Sequence, residues 1–228
     1  MLRRSAFTLV ELLVVLGVIA VLVGVLLPTL SGARRRAQAT ACLSQQRQVG
    51  LALVMYTQQH DGLFPRSSHS ATASQMRPWG RALMPLLTSG EFVAPGGGPA
   101  WAELFNSLYR CPADGRRQTT AWSYGKSVYF ELTALETGGP TWHKITQIRR
   151  PTHVAMFGEV LTSPGADHFM AHFWPMGADP EIDLVRHGDD ASPTQTYLFT
   201  DGHAEAMPFA RTYDPSRNLD LWNPDLAD

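Results

Sequence analysis

Residues 6–28 read AFTLVELLVVLGVIAVLVGVLLP, and no residue from Leu12 to Leu27 is polar. Glu11 is the one charge between Phe7 and Leu27, a run of 21 residues. At ~1.5 Å per residue a helix of this run spans roughly 30 Å, the thickness of a bilayer core. Arg3 and Arg4 precede it, which favours a cytoplasmic amino terminus. Arg34, Arg35 and Arg36 follow it and vote for the opposite orientation.

Working outward, the remainder is ordinary in composition. The 228 residues are 44% hydrophobic and 17% charged, which excludes a disordered or low-complexity chain. Net charge is −1, so the basic excess that phosphate neutralisation requires is absent and no nucleic-acid partner is expected. Two cysteines are too few for a disulfide scaffold or a four-thiolate zinc site.

Three readings of the amino-terminal run compete. Ser31-Gly32-Ala33 has the small-x-small pattern of a secretory cleavage site, but the apolar run is longer than such signals carry and arginines follow the cut. A plain single-pass anchor leaves Glu11 unexplained, because a carboxylate in the bilayer costs on the order of 3 kcal/mol. The third reading explains it. The stretch from Ala6 through Glu11 to Leu12 resembles the cleavage and methylation motif of type IV prepilins and type II secretion pseudopilins.

That resemblance implies a cut by a prepilin peptidase between Ala6 and Phe7 and methylation of the new Phe7 amine. Ala6 stands where the family usually has glycine; both are small. The amine then lies one helical turn from Glu11. In the family, the amine of an incoming subunit pairs with this carboxylate of a neighbour, which makes Glu11 an assembly residue. Pro28, residue 22 of the processed chain, falls where many pilins carry a helix-bending proline. It reads equally as the end of the membrane helix.

A helical pattern continues beyond Pro28. Ala39, Cys42, Val49, Leu53 and Tyr56 form one face, with Gln45, Gln46, Arg47, Gln48, Gln58 and Gln59 mostly opposite. A helix from Phe7 to about Gln58 would be roughly 78 Å long, abnormal for a compact domain and normal for a pilin. His60-Asp61-Gly62 and Pro65 end it. Short helices are expected at 79–87 and 101–108, and strands at 127–132, 153–157 and 196–200. The fold expected is α+β: a long amino-terminal helix with an antiparallel sheet head, the pilin-like lollipop. The chain divides into a leader (1–6), a membrane and assembly half-helix (7–30), an amphipathic half-helix (31–60) and a periplasmic head (61–228).

Candidate sites in the head are few. In an oxidising compartment Cys42 and Cys111 can form one bridge, worth ~4 kcal/mol in the chain-entropy model; otherwise they are two buried thiols. The carboxy-terminal family element, a histidine followed by nine residues and Asp-Gly, is matched by His187 and Asp201-Gly202 with a spacer of 13. Asp201-Gly202 suits a tight turn. Asp189, Asp190 and Asp201 are the candidate oxygens for calcium, a hard cation needing six to eight of them. His168 and His172 have the i, i+4 spacing of a helical zinc pair, without the glutamate that a metalloprotease carries. No nucleophile elbow, phosphate loop or dinucleotide fingerprint occurs, so no enzyme and no required cofactor are expected.

The resemblance implies a pseudopilin-like structural subunit of a type II secretion-like pseudopilus or type IV pilus-like filament. Its expected partners are the prepilin peptidase and methylase, further copies in a homo-oligomeric filament, an inner-membrane secretion assembly platform and the membrane itself. The chain would start as a single-pass protein of the bacterial inner membrane, head periplasmic, and move into a periplasmic filament. The alternative is a membrane-anchored extracytoplasmic binding module for a glycan or a metal, with six tryptophans (79, 101, 122, 142, 174 and 222) as stacking surfaces.

Overall fold

The computed structural model of the chain describes residues 8–71, 73–88, 98–116, 121–161, 166–189 and 192–227. Helix α1 runs from Leu9 to Gln59. The chain forms two compact units, one ending at Ala37 and one from Gln38 onward, so α1 contributes to both. In the first unit the large apolar side chains from Leu9 to Leu30 are all exposed. The helix is long and apolar enough to cross a membrane.

The second unit builds its core on the amphipathic end of α1. Cys42, Val49, Ala52, Leu53 and Tyr56 are buried, along with Gly50. Gln46 departs from the sequence reading, which put it on the polar face. It is 1% exposed, and its side-chain amide donates to the carbonyl and hydroxyl oxygens of Thr196, both at 3.0 Å. The helix ends where expected: Asp61 and Gly62 take positive φ values of 51° and 80°.

Short elements follow: α2 (Ser68–Ala71), α3 (Trp79–Leu87), α4 (Pro99–Leu108), β1 (Tyr124–Ser127) and α5 (Ala134–Thr137). The strands β2 (Ala155–Glu159), β3 (His168–Phe169), β4 (His187–Asp189), β5 (Ser192–Phe199) and β6 (Ala204–Met207) come next. A last pair, β7 (Tyr213–Asp214) and β8 (Leu219–Asp220), forms its own small antiparallel sheet. The main sheet runs β3-β1-β2-β5-β4, with β6 also on β5. The architecture is α+β, a long helix followed by a sheet-rich region. The sheet is mixed rather than purely antiparallel, because β1 and β3 pair in parallel.

The expected strand over 127–132 is corrected. Strand β1 stops at Ser127, and residues 128–130 form a 3-10 turn. The cause is an ion pair. Lys126 Nζ lies 2.6 Å from Glu131 Oε1, whereas in an extended strand their α-carbons would be roughly 17 Å apart and their side chains on opposite faces. The chain must turn back for the pair to form.

Aromatic packing fills the core. Trp79 meets Tyr109 and Phe157 edge-on and lies 4.8 Å from the Trp122 ring. Trp222 packs edge-on against Phe169, Trp174 and Tyr197. Trp79, Trp142, Trp174 and Trp222 are buried, and Trp101 and Trp122 are partly buried. Arg81 covers the Trp101 ring at 4.4 Å.

Candidate functional site

In the second unit Cys42 and Cys111 form a disulfide, with their α-carbons 5.1 Å apart across 69 residues of chain. The bridge joins α1 to the segment after α4. Strand β4 brings His187 against it, with Nε2 3.4 Å from Cys111 Sγ and 3.0 Å from Glu159 Oε1. Glu159, at the end of β2, takes the Thr196 amide on its other oxygen at 2.9 Å. All four side chains are buried. Next to them the Tyr124 hydroxyl donates to Gln45 at 2.8 Å.

Glu159 is absent from every sequence motif. Its place follows from register, since β1 pairs with β2 at Tyr124–Glu159 and β5 delivers the Thr196 amide. His187 and the Asp201-Gly202 pair, which the sequence reading joined in one element, do separate work. Asp201 and Gly202 make the turn between β5 and β6. Asp201 accepts the His203 amide at 3.0 Å and its ring nitrogen at 2.6 Å, and Gly202 has φ +90°.

Of the calcium candidates, Asp201 is thus engaged by His203. Asp189 lies on β4, its side chain not described, and Asp190 lies outside the described residues. The zinc spacing of His168 and His172 is corrected: His168 sits on β3 and His172 in a 3-10 turn over 171–176, so no helix carries both.

A second polar cluster surrounds the Lys126–Glu131 pair. Glu131 accepts the Ser67 amide at 2.7 Å and hydrogen bonds from the Ser67 and Ser70 hydroxyls. Burial opposes its charge, but the Lys126 ammonium and these donors overcome that and hold the carboxyl at about 2. Asp167 alongside takes the Ser68 amide and hydroxyl. The Lys126 ammonium pairs with Glu131, and the cluster pins the Ser67–Ser70 turn.

A third network is likewise structural. Burial would raise the Asp114 carboxyl, but hydrogen bonds from Arg116 and Ser123 and the Arg186 charge hold it well below the usual range. Arg186 also donates to the Ser123 and Val160 carbonyls and pairs with Asp183 at 2.9 Å.

In the first unit, Thr8 caps α1. Its backbone N–H and its hydroxyl both donate to Glu11 Oε2 at 2.8 Å, and its hydroxyl oxygen accepts the Glu11 amide at 3.2 Å. This is a reciprocal capping box, legible in the Thr-x-x-Glu spacing but missed by the sequence reading. The helix passes through position 28 without a break, so Pro28 is interior and the end-of-helix reading falls. Thr29 follows it, donating back to the Leu26 carbonyl at 2.8 Å. Ala6 and Phe7 lie outside the described residues.

The amino-terminal pattern has a counterpart among known families. Residues 1–27 match the prokaryotic N-terminal methylation motif. No curated protein and no solved structure matches the chain. The methylation motif covers residues 1–6, the Ala6–Phe7 junction, Glu11 and the apolar run, and it stops just short of Pro28. It supports a type IV pilin- or pseudopilin-type precursor, a class of structural subunits. The motif stops before the disulfide, His187 and Asp201-Gly202.

Proposed function

We propose that this chain is a pseudopilin-like structural subunit. A prepilin peptidase cuts it between Ala6 and Phe7 and methylates Phe7. The processed chains then assemble through their apolar helices into a type II secretion-like pseudopilus or type IV pilus-like filament. The observation that carries this reading is the methylation motif over residues 1–27, on a helix whose apolar side chains from Leu9 to Leu30 are exposed on every side. Apolar surface of that extent requires lipid or other helices around it.

Before assembly the helix sits in the inner membrane with the head in the periplasm, and assembly exchanges lipid for neighbouring helices. A repeated contact that does not close on itself yields a helical polymer. Glu11 receives the methylated amine of the next subunit, because a carboxylate in an apolar environment is tolerable when a cation neutralises it. The partners are the processing peptidase, further copies and the membrane assembly platform. Four of the six tryptophans are buried and two partly buried, which favours packing over stacking on a glycan, and the filament reading needs no enzyme activity.

Mass spectrometry of the amino-terminal peptide from the native host tests the proposal. A peptide starting at N-methylated Phe7 supports it. A start at Met1 or Arg34 refutes it.

A further inference from the structure

The cluster of Cys42, Cys111, Glu159 and His187 has a composition that a disulfide alone does not require. Its four potential ligand atoms, two sulfurs, one imidazole nitrogen and one carboxylate oxygen, all lie within 4.8 Å of one another. None is accessible: Cys42 and Glu159 are 0% exposed, Cys111 2% and His187 4%. Two thiolates, an imidazole and a carboxylate make a complete tetrahedral set for zinc. The hard carboxylate among them disfavours cuprous ion, which takes softer donors.

The distances lie close to what that occupant needs. Tetrahedral zinc bonds of about 2.0–2.3 Å put neighbouring donor atoms roughly 3.3–3.8 Å apart. Cys111 Sγ to His187 Nε2 is 3.4 Å, and His187 Nε2 to Glu159 Oε1 is 3.0 Å. The sulfurs, now bonded, must separate, and the His187–Glu159 pair must open by a few tenths of an ångström. The supporting contact is already built: the Thr196 amide holds Glu159 Oε2 and leaves Oε1 facing the cluster.

We propose that the dithiol form of this chain binds one zinc ion through Cys42, Cys111, His187 and Glu159, and that metal and disulfide are mutually exclusive occupants of one buried site. Loading releases two thiol protons as two zinc–sulfur bonds form, and the imidazole proton that Nε2 donates to Glu159 moves to Nδ1 through solvent exchange, which frees the Nε2 lone pair for the metal. In the reverse direction a low-molecular-weight disulfide is the oxidant. One molecule takes up two electrons and two protons to become two thiols, the Cys42–Cys111 bond forms, and the zinc ion leaves. The site would hold the head together before oxidation and hand that role to the covalent bridge afterwards. Neither step depends on filament assembly.

The test uses the full chain in detergent, reduced anaerobically with a phosphine and titrated with cobalt(II) and then zinc(II). The expected result is a thiolate-to-cobalt charge-transfer band with tetrahedral ligand-field bands, saturating at one metal per chain and bleached by zinc. The oxidised chain gives no band, and adding a disulfide oxidant to the zinc-loaded chain releases the metal. Glu159→Gln, which keeps shape and loses charge, weakens zinc binding about tenfold or more. A reduced chain that keeps its native tryptophan fluorescence but shows no charge-transfer band overturns the proposal. So does equal metal uptake by the oxidised chain or by Cys42→Ser/Cys111→Ser.

Discussion

Gly50 of α1 lies directly against Gly202 in the turn between β5 and β6, backbone to backbone. A β-carbon on Gly50 would stand 2.1 Å from the Gly202 carbonyl oxygen, and one on Gly202 would stand 2.7 Å from Val54 Cγ2. The helix therefore approaches the hairpin as closely as two backbones allow. Gly202 adds a second constraint, since its φ of +90° suits glycine alone.

Gly50→Ala separates two opposed effects. On an exposed helix, glycine to alanine gains about 1 kcal/mol of propensity. At this contact the new methyl meets backbone that cannot rotate away, and overpacking of this kind costs about 1–3 kcal/mol. We expect the contact to win. Urea denaturation should show a lower midpoint for Gly50→Ala than for the parent, and an unchanged or higher midpoint would disprove the close approach.

Removal of the disulfide should cost most of its loop-closure term. The bridge spans 69 residues, so Cys42→Ser/Cys111→Ser in metal-free buffer should lose ~4 kcal/mol of stability. Denaturant titration of the double variant against the oxidised parent measures it.

The Lys126–Glu131 pair sets an acid limit. The Glu131 carboxyl is depressed from 4.5 to about 2 in the folded chain. A depressed carboxyl stabilises the fold fully above its unfolded pKa and loses that contribution as pH falls through the folded one. Stability on the order of 3 kcal/mol should therefore drain away between pH 4.5 and about 2. Glu131→Gln should lose stability at pH 7, because it leaves the Lys126 ammonium buried without its counter-charge, and should flatten that acid limb. Thermal denaturation of both proteins across that range checks the sign.

Glu11 and Thr8 are distinguishable by substitution. Thr8→Ala removes the capping hydroxyl and should weaken only the first turn of α1, by about 1 kcal/mol. On the proposed function, Glu11→Gln should block incorporation into filaments while leaving head stability unchanged. Cysteine cross-linking between neighbouring chains in the native host, scored for both variants, reads incorporation. Filaments of normal abundance from Glu11→Gln would count against an assembly role for this carboxylate.

The amino-terminal half was readable from residue order because its information is local. An apolar run with one carboxylate states its own length and environment, and a helix is set by spacings of three and four, so the α1 face through Cys42, Val49, Leu53 and Tyr56 could be named without coordinates. His60-Asp61-Gly62 announced its own stop. The errors came where a specific partner decides, near or far along the chain. Gln46 looked polar and outward, yet Thr196, 150 residues away, draws its amide into the core. Residues 128–131 looked like a continuing strand, yet the buried Lys126–Glu131 attraction folds them back. Glu159 carried no motif at all. It meets His187, Cys42 and Cys111 only because sheet register, the long helix and one cross-link bring four separate segments to a single point. Periodicity along a chain reports which face is apolar. Which charges and sulfurs meet is set by long-range pairing, and that exists only once the sheet has closed on the helix.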